Sequence, residues 1–519
     1  MKQTILLFAA TAAALVAPRE VKPQQYVIGD AGSQDAVQAW WHVFPEARSL
    51  LSSIEERVTT SIEHSTIDSF LRLVSSNDDD DDEEEEEGFH PPHHKHGHRG
   101  DPSKTIYEQI KECKHTSKFV KLVDEHDEIK QLLQDTKHNH TLFIPTDRAF
   151  KRIPHHGHKD KDKDKDKDKD GDDDDDGDDH KPPKEFVLAF LKYHIVPGSY
   201  PRHRILATQT LPTEFISPAL SRGGKDDDDD GDDDGDGDDD GGNDDEHANT
   251  HHRHHHHPQR LHVGATPLFH RIRLNFYARV VASDKVAKNG VVHAVDAPLF
   301  PPPPATTILR AMPGVFSTFA LALERTGVAA ELEDGGQEGG GGRAGGTVFA
   351  PSNRAWARLG PRLNGFLFSE WGRKYLRALV RYHVVGNETL YSDAYYRERG
   401  GDGDGDGDDG KEEVETGGYE YWHVDLPTWL EEKPVSVDIR RWRGFVSMVV
   451  NGGVRVVVRD GVAHDGVIHI VERVLIPPHR HHGGHSDEED ISVEELKGRL
   501  EPYLERGGGD DGQDEMGDL

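Results

Sequence analysis

The sequence repeats itself over a length that only whole domains can occupy. Residues 141–150 read TLFIPTDRAF and residues 347–356 read TVFAPSNRAW. A Tyr-His pair follows each copy, and a glycine turn with a Val-rich segment ends it: Tyr193, His194, Tyr382, His383, 290–295 and 466–471. Because these landmarks recur in the same order at a spacing far longer than a solenoid repeat, the chain is a tandem duplication of a globular domain.

Charge and hydropathy show that only part of the chain forms packed cores. The net charge is −35 and the mean hydropathy is −0.76, and the apolar deficit is concentrated in runs of Asp, Gly and His. Such runs cannot bury enough apolar surface to fold, which predicts disorder. They form a linker, three insertions into surface loops and an acidic tail with one short helix: 77–103, 155–183, 223–258, 398–418 and 479–519. The acidic surface also argues against nucleic acid as a partner, because phosphates are repelled.

The N-terminus is typical of a secretory signal peptide. Residues 1–17 combine one lysine, an apolar run and small residues before Pro18, so we expect a secreted protein, with the vacuole as the alternative destination. No later stretch approaches membrane-spanning length, which predicts no transmembrane segment. Residues 18–76 carry an apolar pattern of helical period. They form either a helical extension docked on the first domain or a separate partner-binding module.

The two copies share one order of predicted elements and an α+β fold class. In each copy, residues 104–304 and residues 305–478, helical patterns come first and strand patterns last. Cys113 is the only cysteine, so no intrachain disulfide can form. Each domain therefore depends on its own hydrophobic core for stability.

The boxes, the Tyr-His pairs and the closing Gly-Val-His strands together resemble the fasciclin domain family. The resemblance covers residues 104–478 without the insertions, and Ile144 and Trp356 depart from the usual Ala and Phe. It implies two tandem fasciclin-like domains, each a β-sandwich-like wedge flanked by helices. It also implies a fungal, non-enzymatic, extracellular protein that acts in adhesion. The implied partner is the cell wall, the extracellular matrix or a cell-surface receptor.

Most of the repeated residues are expected to be structural. Asp147 and Asn353 stand directly before Arg-Ala-aromatic, which predicts the N-cap of the following helix. His293 and His469 alternate with apolar residues in the closing strands, which predicts a place in the core. The other box residues belong to the same structural set: Thr141, Phe143, Pro145, Phe150, Thr347, Phe349, Pro351 and Trp356.

The Tyr-His pairs admit two interpretations. Tyr193, His194, Tyr382 and His383 end apolar runs, where an imidazole that bonds a buried carbonyl would hold a turn. The family resemblance implies the alternative, which is contact with a receptor. No serine, cysteine or carboxylate stands beside these histidines in a nucleophile arrangement, so the sequence predicts no enzyme.

Metal binding and glycosylation are the remaining candidate functions. No specific cofactor is predicted, but the acidic runs suit weak Ca²⁺ binding and the histidine runs suit Zn²⁺ or Cu²⁺. The weak metal-ligand candidates are His251, His252, His254, His255, His256 and His257. A secreted or vacuolar metal-binding protein on a fasciclin scaffold is therefore the alternative function. Asn139 and Asn387 are glycosylation sequons beside the repeated boxes.

Overall fold

The computed structural model describes the two repeats and short segments at either end. The described residues are 51–59, 100–151, 183–220, 257–266, 271–333, 345–396, 419–430, 433–442, 445–478 and 491–504. The predicted signal peptide, most of the predicted insertions and the histidine run at 251–256 lie outside them. Within these ranges, no helix combines the length and apolar character needed to cross a membrane.

The first repeat places three helices before its first strand and ends in a strand-rich half. A helix at residues 51–59, α1, precedes it. Its helices are α2 (Ile106–Glu112), α3 (Ser117–Asp124), α4 (Asp127–Gln134), α5 (Asp147–Lys151), α6 (Lys184–Tyr193) and α7 (Arg202–Ile205). Its strands are β1 (His140–Pro145), β2 (Ile195–Pro197), β3 (Thr210–Ile216), β4 (Pro258–Thr266), β5 (Arg271–Leu274), β6 (Ala278–Ala287) and β7 (Gly290–Val295), with a 3₁₀ turn at Pro218–Leu220.

The second repeat follows the same plan with longer late strands. Its helices are α8 (Ala305–Ala311), α9 (Pro313–Thr326), α10 (Val328–Glu333), α11 (Asn353–Arg358), α12 (Pro361–Leu367) and α13 (Arg373–Arg381). Its strands are β8 (Gly346–Pro351), β9 (Val384–Gly386), β10 (Thr389–Tyr391), β11 (Ala394–Tyr396), β12 (Tyr419–Pro427), β13 (Pro434–Trp442), β14 (Phe445–Val450), β15 (Val454–Ala463) and β16 (Gly466–Val471). Helix α14 (Val493–Leu500) and a 3₁₀ turn (Glu501–Tyr503) end the described chain.

Each repeat forms a curved sheet of seven strands in the same spatial order. The order is β2-β1-β7-β6-β5-β4-β3 in the first repeat and β9-β8-β16-β15-β14-β13-β12 in the second. The box strand pairs in parallel with the closing strand, and the other neighbours are antiparallel. β3 contacts β2, and a bridge between Val385 and Thr428 joins the equivalent edges in the second repeat. Each sheet therefore curls into the wedge that the sequence predicts, with the helices around it.

The box strands lie at the centre of each core. Every residue of β1 and β8 is buried, which explains why consecutive apolar residues follow the threonine of each strand without alternation. Parallel pairing brings the closing strand very close: a Cβ on Gly290 or Gly466 would lie 1.7 Å or 2.1 Å from a carbonyl oxygen of the box strand. Both glycines have a positive φ, of 143° and 148°, so glycine is required on both counts.

Two segment boundaries and the docking of helix α1 differ from the sequence predictions. β4 begins at Pro258, so the predicted insertion at 223–258 extends too far. Helix α14, placed in the predicted tail, fully buries Leu496 and Leu500 against the second repeat and so belongs to that domain. Helix α1 does not dock on the first domain alone: Val58 joins the core of the second repeat, and Glu55 accepts a hydrogen bond from the Gly314 N–H.

Candidate functional site

The Tyr-His pairs are fully inside the two cores. Tyr193, His194, Tyr382 and His383 are at most 1% exposed. Each imidazole Nδ1 faces the carbonyl of the residue four positions earlier, at 2.7 Å and 2.8 Å, and so carries the proton. Each Nε2 then accepts a backbone N–H from the segment after the closing strand, at 2.9 Å in both repeats. The histidine thus ties the end of a helix to the end of the domain, which is the structural interpretation.

The tyrosine of each pair makes an equally specific contact. The Tyr193 hydroxyl accepts a hydrogen bond from the Asn275 amide at 2.8 Å, and the Tyr382 hydroxyl accepts one from Asn451 at 2.9 Å. Burial raises the pKa of Tyr382 to about 12 and raises that of Tyr193 well above its ordinary value, so neither phenol ionises near neutral pH. These groups are out of reach of a receptor in the folded state, and the structure does not favour the contact interpretation.

The histidines of the closing strands are also buried and also contact backbone carbonyls. His293 and His469 direct Nε2 at the carbonyls of Tyr200 and Leu390, at 2.9 Å and 2.7 Å. Each ring stacks on the box phenylalanine, with centroids 5.3 Å and 5.6 Å apart. Burial lowers the pKa of His469 to about 4, and of His194 and His383 to about 4, against the hydrogen bonds that favour their charged forms.

The prediction that Asp147 and Asn353 cap the helices that directly follow them is wrong. The residues before them form the caps: the Thr146 and Ser352 hydroxyls accept the N–H of Ala149 and Ala355. Asp147 instead accepts the N–H groups of Ser117 and Lys118, at 3.1 Å and 2.8 Å, and so holds the start of the distant helix α3. Burial opposes ionisation there, but these hydrogen bonds prevail and lower the pKa of Asp147.

The change from Asp to Asn between the repeats has a physical reason. Helix α9 begins earlier than α3, so Asn353 meets the helix one turn inside its start. Its carbonyl oxygen accepts the Thr318 N–H at 3.0 Å, while its amide donates to the carbonyls of Pro313 and Gly314 at 3.0 Å and 2.9 Å. A carboxylate has acceptors only and cannot serve those carbonyls.

A cluster of ionisable side chains joins the two repeats and was not predicted from the sequence. Asp393, between β10 and β11, accepts the N–H groups of Gln209 and Thr210 at 2.9 Å and 2.7 Å and also the Thr210 hydroxyl. The Arg260 guanidinium lies 3.9 Å from the same carboxylate. We call this contact, together with Asp460, Ser392 and His262 beside it, the interdomain seam.

Asp460 lies beside Asp393 on the second-repeat side of the seam. It is fully buried, and Ser392 donates to it through both its N–H, at 2.7 Å, and its hydroxyl. His262 of the first repeat contacts the Asp460 carbonyl at 3.1 Å. Burial, with the neighbouring Asp393 charge, raises the pKa of Asp460 to about 6. Its counterpart Asp284 shows that the position repeats, since each aspartate N–H faces the closing histidine at 3.3 Å.

The sequons and the metal candidates fall in different parts of the molecule. Asn139 and Asn387 are exposed beside the box strands, as a glycosylation site requires. Of the predicted metal ligands, only His257 lies within the described residues. In those ranges no group of three His, Cys, Asp or Glu side chains converges as a metal site.

Two cavities accompany the seam and the second repeat. An almost wholly apolar cavity of about 70 Å³ lies between Val58, Phe276 and Met312, where α1 meets both repeats. It is smaller than the roughly 150 Å³ that admits benzene, so the space is a packing gap. A wider polar cleft of about 690 Å³ adjoins α11; Arg358, Glu472 and Arg473 line it, and the first two face each other at 3.8 Å.

Both repeats have the same seven-stranded sheet and the same buried histidines, which hold backbone segments of their own domain together. The sequence profile of the fasciclin domain matches residues 114–220 and 314–477, which together are more than half of the chain. The chain therefore belongs to the fasciclin family, as the sequence analysis predicts.

Curated relatives are fungal and animal. The chain is 31% identical over 260 residues to "Aurofusarin biosynthesis cluster protein S" of Gibberella zeae, which covers 45% of this chain and 60% of that protein. It is 28% identical over 214 residues to "Fasciclin-like arabinogalactan protein CTB11" of Cercospora beticola, covering 41% and 45%. A match to Stabilin-2 of Mus musculus has 30% identity over 126 residues, 22% of this chain and 5% of that protein. The chain thus spans at most 60% of the length of these relatives.

A solved FAS1 domain pair from the insect cell adhesion molecule Fasciclin I is also similar. It aligns with 69% of this chain and 96% of its own, with 15% identity and a TM-score of 0.29.

Proposed function

We propose that this protein is a secreted, non-enzymatic adhesion protein of the cell wall or extracellular matrix. The observation that carries the proposal is the use of the repeated polar residues. Each Tyr-His pair and each closing histidine is buried and bonded to backbone groups of its own domain. These repeated polar residues therefore stabilise the two domains and are not accessible to a ligand. Binding to a partner then takes place at other residues on the domain surfaces, as expected for an adhesion protein.

Membership of the fasciclin family supports an adhesive or wall-associated role in the broad sense. Two fungal relatives, of Cercospora beticola and Arthroderma benhamiae, are named fasciclin-like arabinogalactan proteins, which supports placement at the wall. Secretion follows from the predicted signal peptide at residues 1–17, and imaging of a tagged full-length chain distinguishes the wall from the vacuole.

An attachment assay tests the proposal. Purified full-length protein, coated on a surface, is expected to retain cells or wall fragments above the level of an albumin coating. A chain with Asp393→Ala, which loosens the seam but leaves the outer surfaces intact, serves as a matched variant and should retain attachment. Attachment no greater than that of albumin would remove the adhesive function.

A further inference from the structure

Exposed aromatic side chains concentrate at one end of the second repeat. Among the described residues, five tryptophan, tyrosine or phenylalanine side chains are prominently exposed, and four of them lie on the β12–β13–β14 ribbon. These four are Tyr421, Trp422, Trp442 and Phe445, which are 50%, 42%, 51% and 54% exposed. Exposed apolar patches of this kind mark interaction sites.

Strand register places three of these rings on one face of the ribbon. Trp442 pairs with Phe445, and Tyr421 pairs with Arg440, so side chains of both pairs point the same way. The Trp442 and Phe445 rings stack with centroids 6.4 Å apart and planes inclined by 25°. Residues of the opposite face, such as Val437 and Val450, are buried in the core. We call Tyr421, Trp442 and Phe445, with the polar side chains between them, the aromatic face.

Polar groups are built into the same face. The Tyr421 hydroxyl donates to Asp438 at 2.6 Å, and His423 Nδ1 contacts the same carboxylate at 2.8 Å. The Arg440 guanidinium lies 5.9 Å from the centre of the Tyr421 ring. Asp425 and Asp438 on this face are matched by Arg440 and by His423, whose pKa is raised by its hydrogen bond to Asp438, so the aromatic face is closer to neutral than a chain of net charge −35 would suggest.

The first repeat has no equivalent of this face in its described residues. The tyrosine contacts align the strands, because Tyr193 donates to the Arg260 carbonyl and Tyr382 donates to the Pro434 carbonyl. On this alignment Arg440 corresponds to Thr266, where the described part of β4 ends. The positions equivalent to Trp442 and Phe445 therefore lie outside the described residues of the first repeat.

The dimensions of the face decide what kind of partner it fits. Three strands and three rows of side chains cover about 14 Å by 20 Å, or roughly 300 Å². A stable protein–protein interface needs about 800 Å² on each partner, so this face is too small for one. A chain polymer can occupy such a strip with a few residues and gain strength by repeated contacts along its length.

We propose that the aromatic face of the second repeat binds a neutral polysaccharide of the wall or matrix. This inference rests on the proposed function and names its ligand class. Pyranose rings present C–H groups on their faces, which the electron-rich faces of Trp442, Phe445 and Tyr421 attract. Their hydroxyl groups can donate to Asp438 and accept from Arg440 and His423. A polyanionic glycan fits less well, since the whole chain carries a strong negative charge.

Co-sedimentation with insoluble polysaccharide tests the proposal on the full-length chain. The probes are particulate β-1,3-glucan and chitin, with soluble heparin as the polyanionic comparison. Wild-type protein is expected to bind at least one of the neutral particles. Trp442→Ala should weaken that binding about tenfold, as expected for the loss of a well-formed ring contact of about 1.4 kcal/mol. Tyr421→Phe retains the ring and loses the bond to Asp438, so it should have a smaller effect.

Trp371→Ala is the matched control. Trp371 is 85% exposed but lies between α12 and α13 and is not part of the β12–β13–β14 ribbon, so its loss should leave binding unchanged. Thermal unfolding of each variant checks that the fold is retained. Equal binding by the Trp442→Ala and wild-type chains, or a preference for heparin, would overturn the inference. If neutral polysaccharide does not bind while cell attachment persists, the ligand class is wrong and the adhesive function stands.

Discussion

The interdomain seam predicts an unusual dependence of stability on pH, with Asp460 as its source. Burial and the adjacent Asp393 raise the pKa of Asp460 from 3.8 to about 6. A raised folded-state pKa means that the protonated form is preferred on folding. The stabilising contribution is therefore complete below the unfolded pKa near 4 and is lost as pH rises through about 6. A shift of about 2 units corresponds to about 3 kcal/mol between those limits.

Asp460→Asn isolates this contribution. An asparagine can accept the Ser392 N–H and donate to the Ser392 hydroxyl, so it resembles protonated aspartic acid. The variant should match the wild type near pH 4 and exceed its unfolding free energy by up to about 3 kcal/mol at pH 8. The charged groups around this carboxyl are Asp393, Arg459 and, through Asp393, Arg260, with His262 and His469 against its backbone.

Urea unfolding from pH 4 to pH 8, followed by tryptophan fluorescence, measures the difference. Five of the seven tryptophans lie in the second repeat and none lies in the first, so the signal reports mainly the domain that holds Asp460. The buried histidines impose an opposite trend, because their lowered pKa values make folding less favourable as pH falls from 6.5 towards 4. The comparison of variant with wild type removes that shared trend.

Asp284→Asn is the matched control for Asp460→Asn. Asp284 occupies the equivalent position in the first repeat and accepts the Arg202 N–H at 2.7 Å, but it is only partly buried. Its substitution should not reproduce the pH-dependent gain. If Asp460→Asn lowers stability at pH 8, then Arg459 stabilises the charged carboxylate more than burial and Asp393 oppose it, and the reasoning fails.

Three further perturbations test other contacts. Asp393→Ala leaves the Thr210 N–H without its acceptor, a loss of about 2–3 kcal/mol that should speed hydrogen exchange at Thr210 about 30- to 150-fold, whereas exposed Asp425→Ala should not. Asn353→Asp removes the donor to two helix carbonyls and should lower the free energy of urea unfolding by about 1–3 kcal/mol. Phe276→Gly removes a ring that packs on the second repeat and should increase proteolytic cleavage between the repeats; unchanged cleavage would contradict that role.

The sequence is sufficient to predict what the two repeats share. A box strand with consecutive apolar residues, a Tyr-His pair at the end of a helix and a glycine at the start of the closing strand each have a local signature. The seam has none, because Asp393 and Thr210 are 183 residues apart and neither stands in a recognisable motif. The sequence also does not identify the partner of Asp147. An aspartate can cap the helix that follows it or accept hydrogen bonds from an earlier helix, and the residue type is the same in both cases.

The two repeats share a fold but have different surfaces. A strained backbone conformation at Phe276 marks one place where the surface of the first repeat is specialised. Phe276 has a φ of 66° in the turn after β5, which is costly for an aromatic residue, and its equivalent Gly452 has a φ of 71° at no such cost. The strained phenylalanine persists in the first repeat where it packs on the second. Likewise Val462 is 7% exposed under the seam, while its equivalent Val286 is 42% exposed. The turn of the first repeat that carries Phe276 is thus adapted to join the domains, whereas the equivalent turn of the second repeat, at Gly452, is exposed and lies at the opposite end of β14 from Phe445 and the aromatic face.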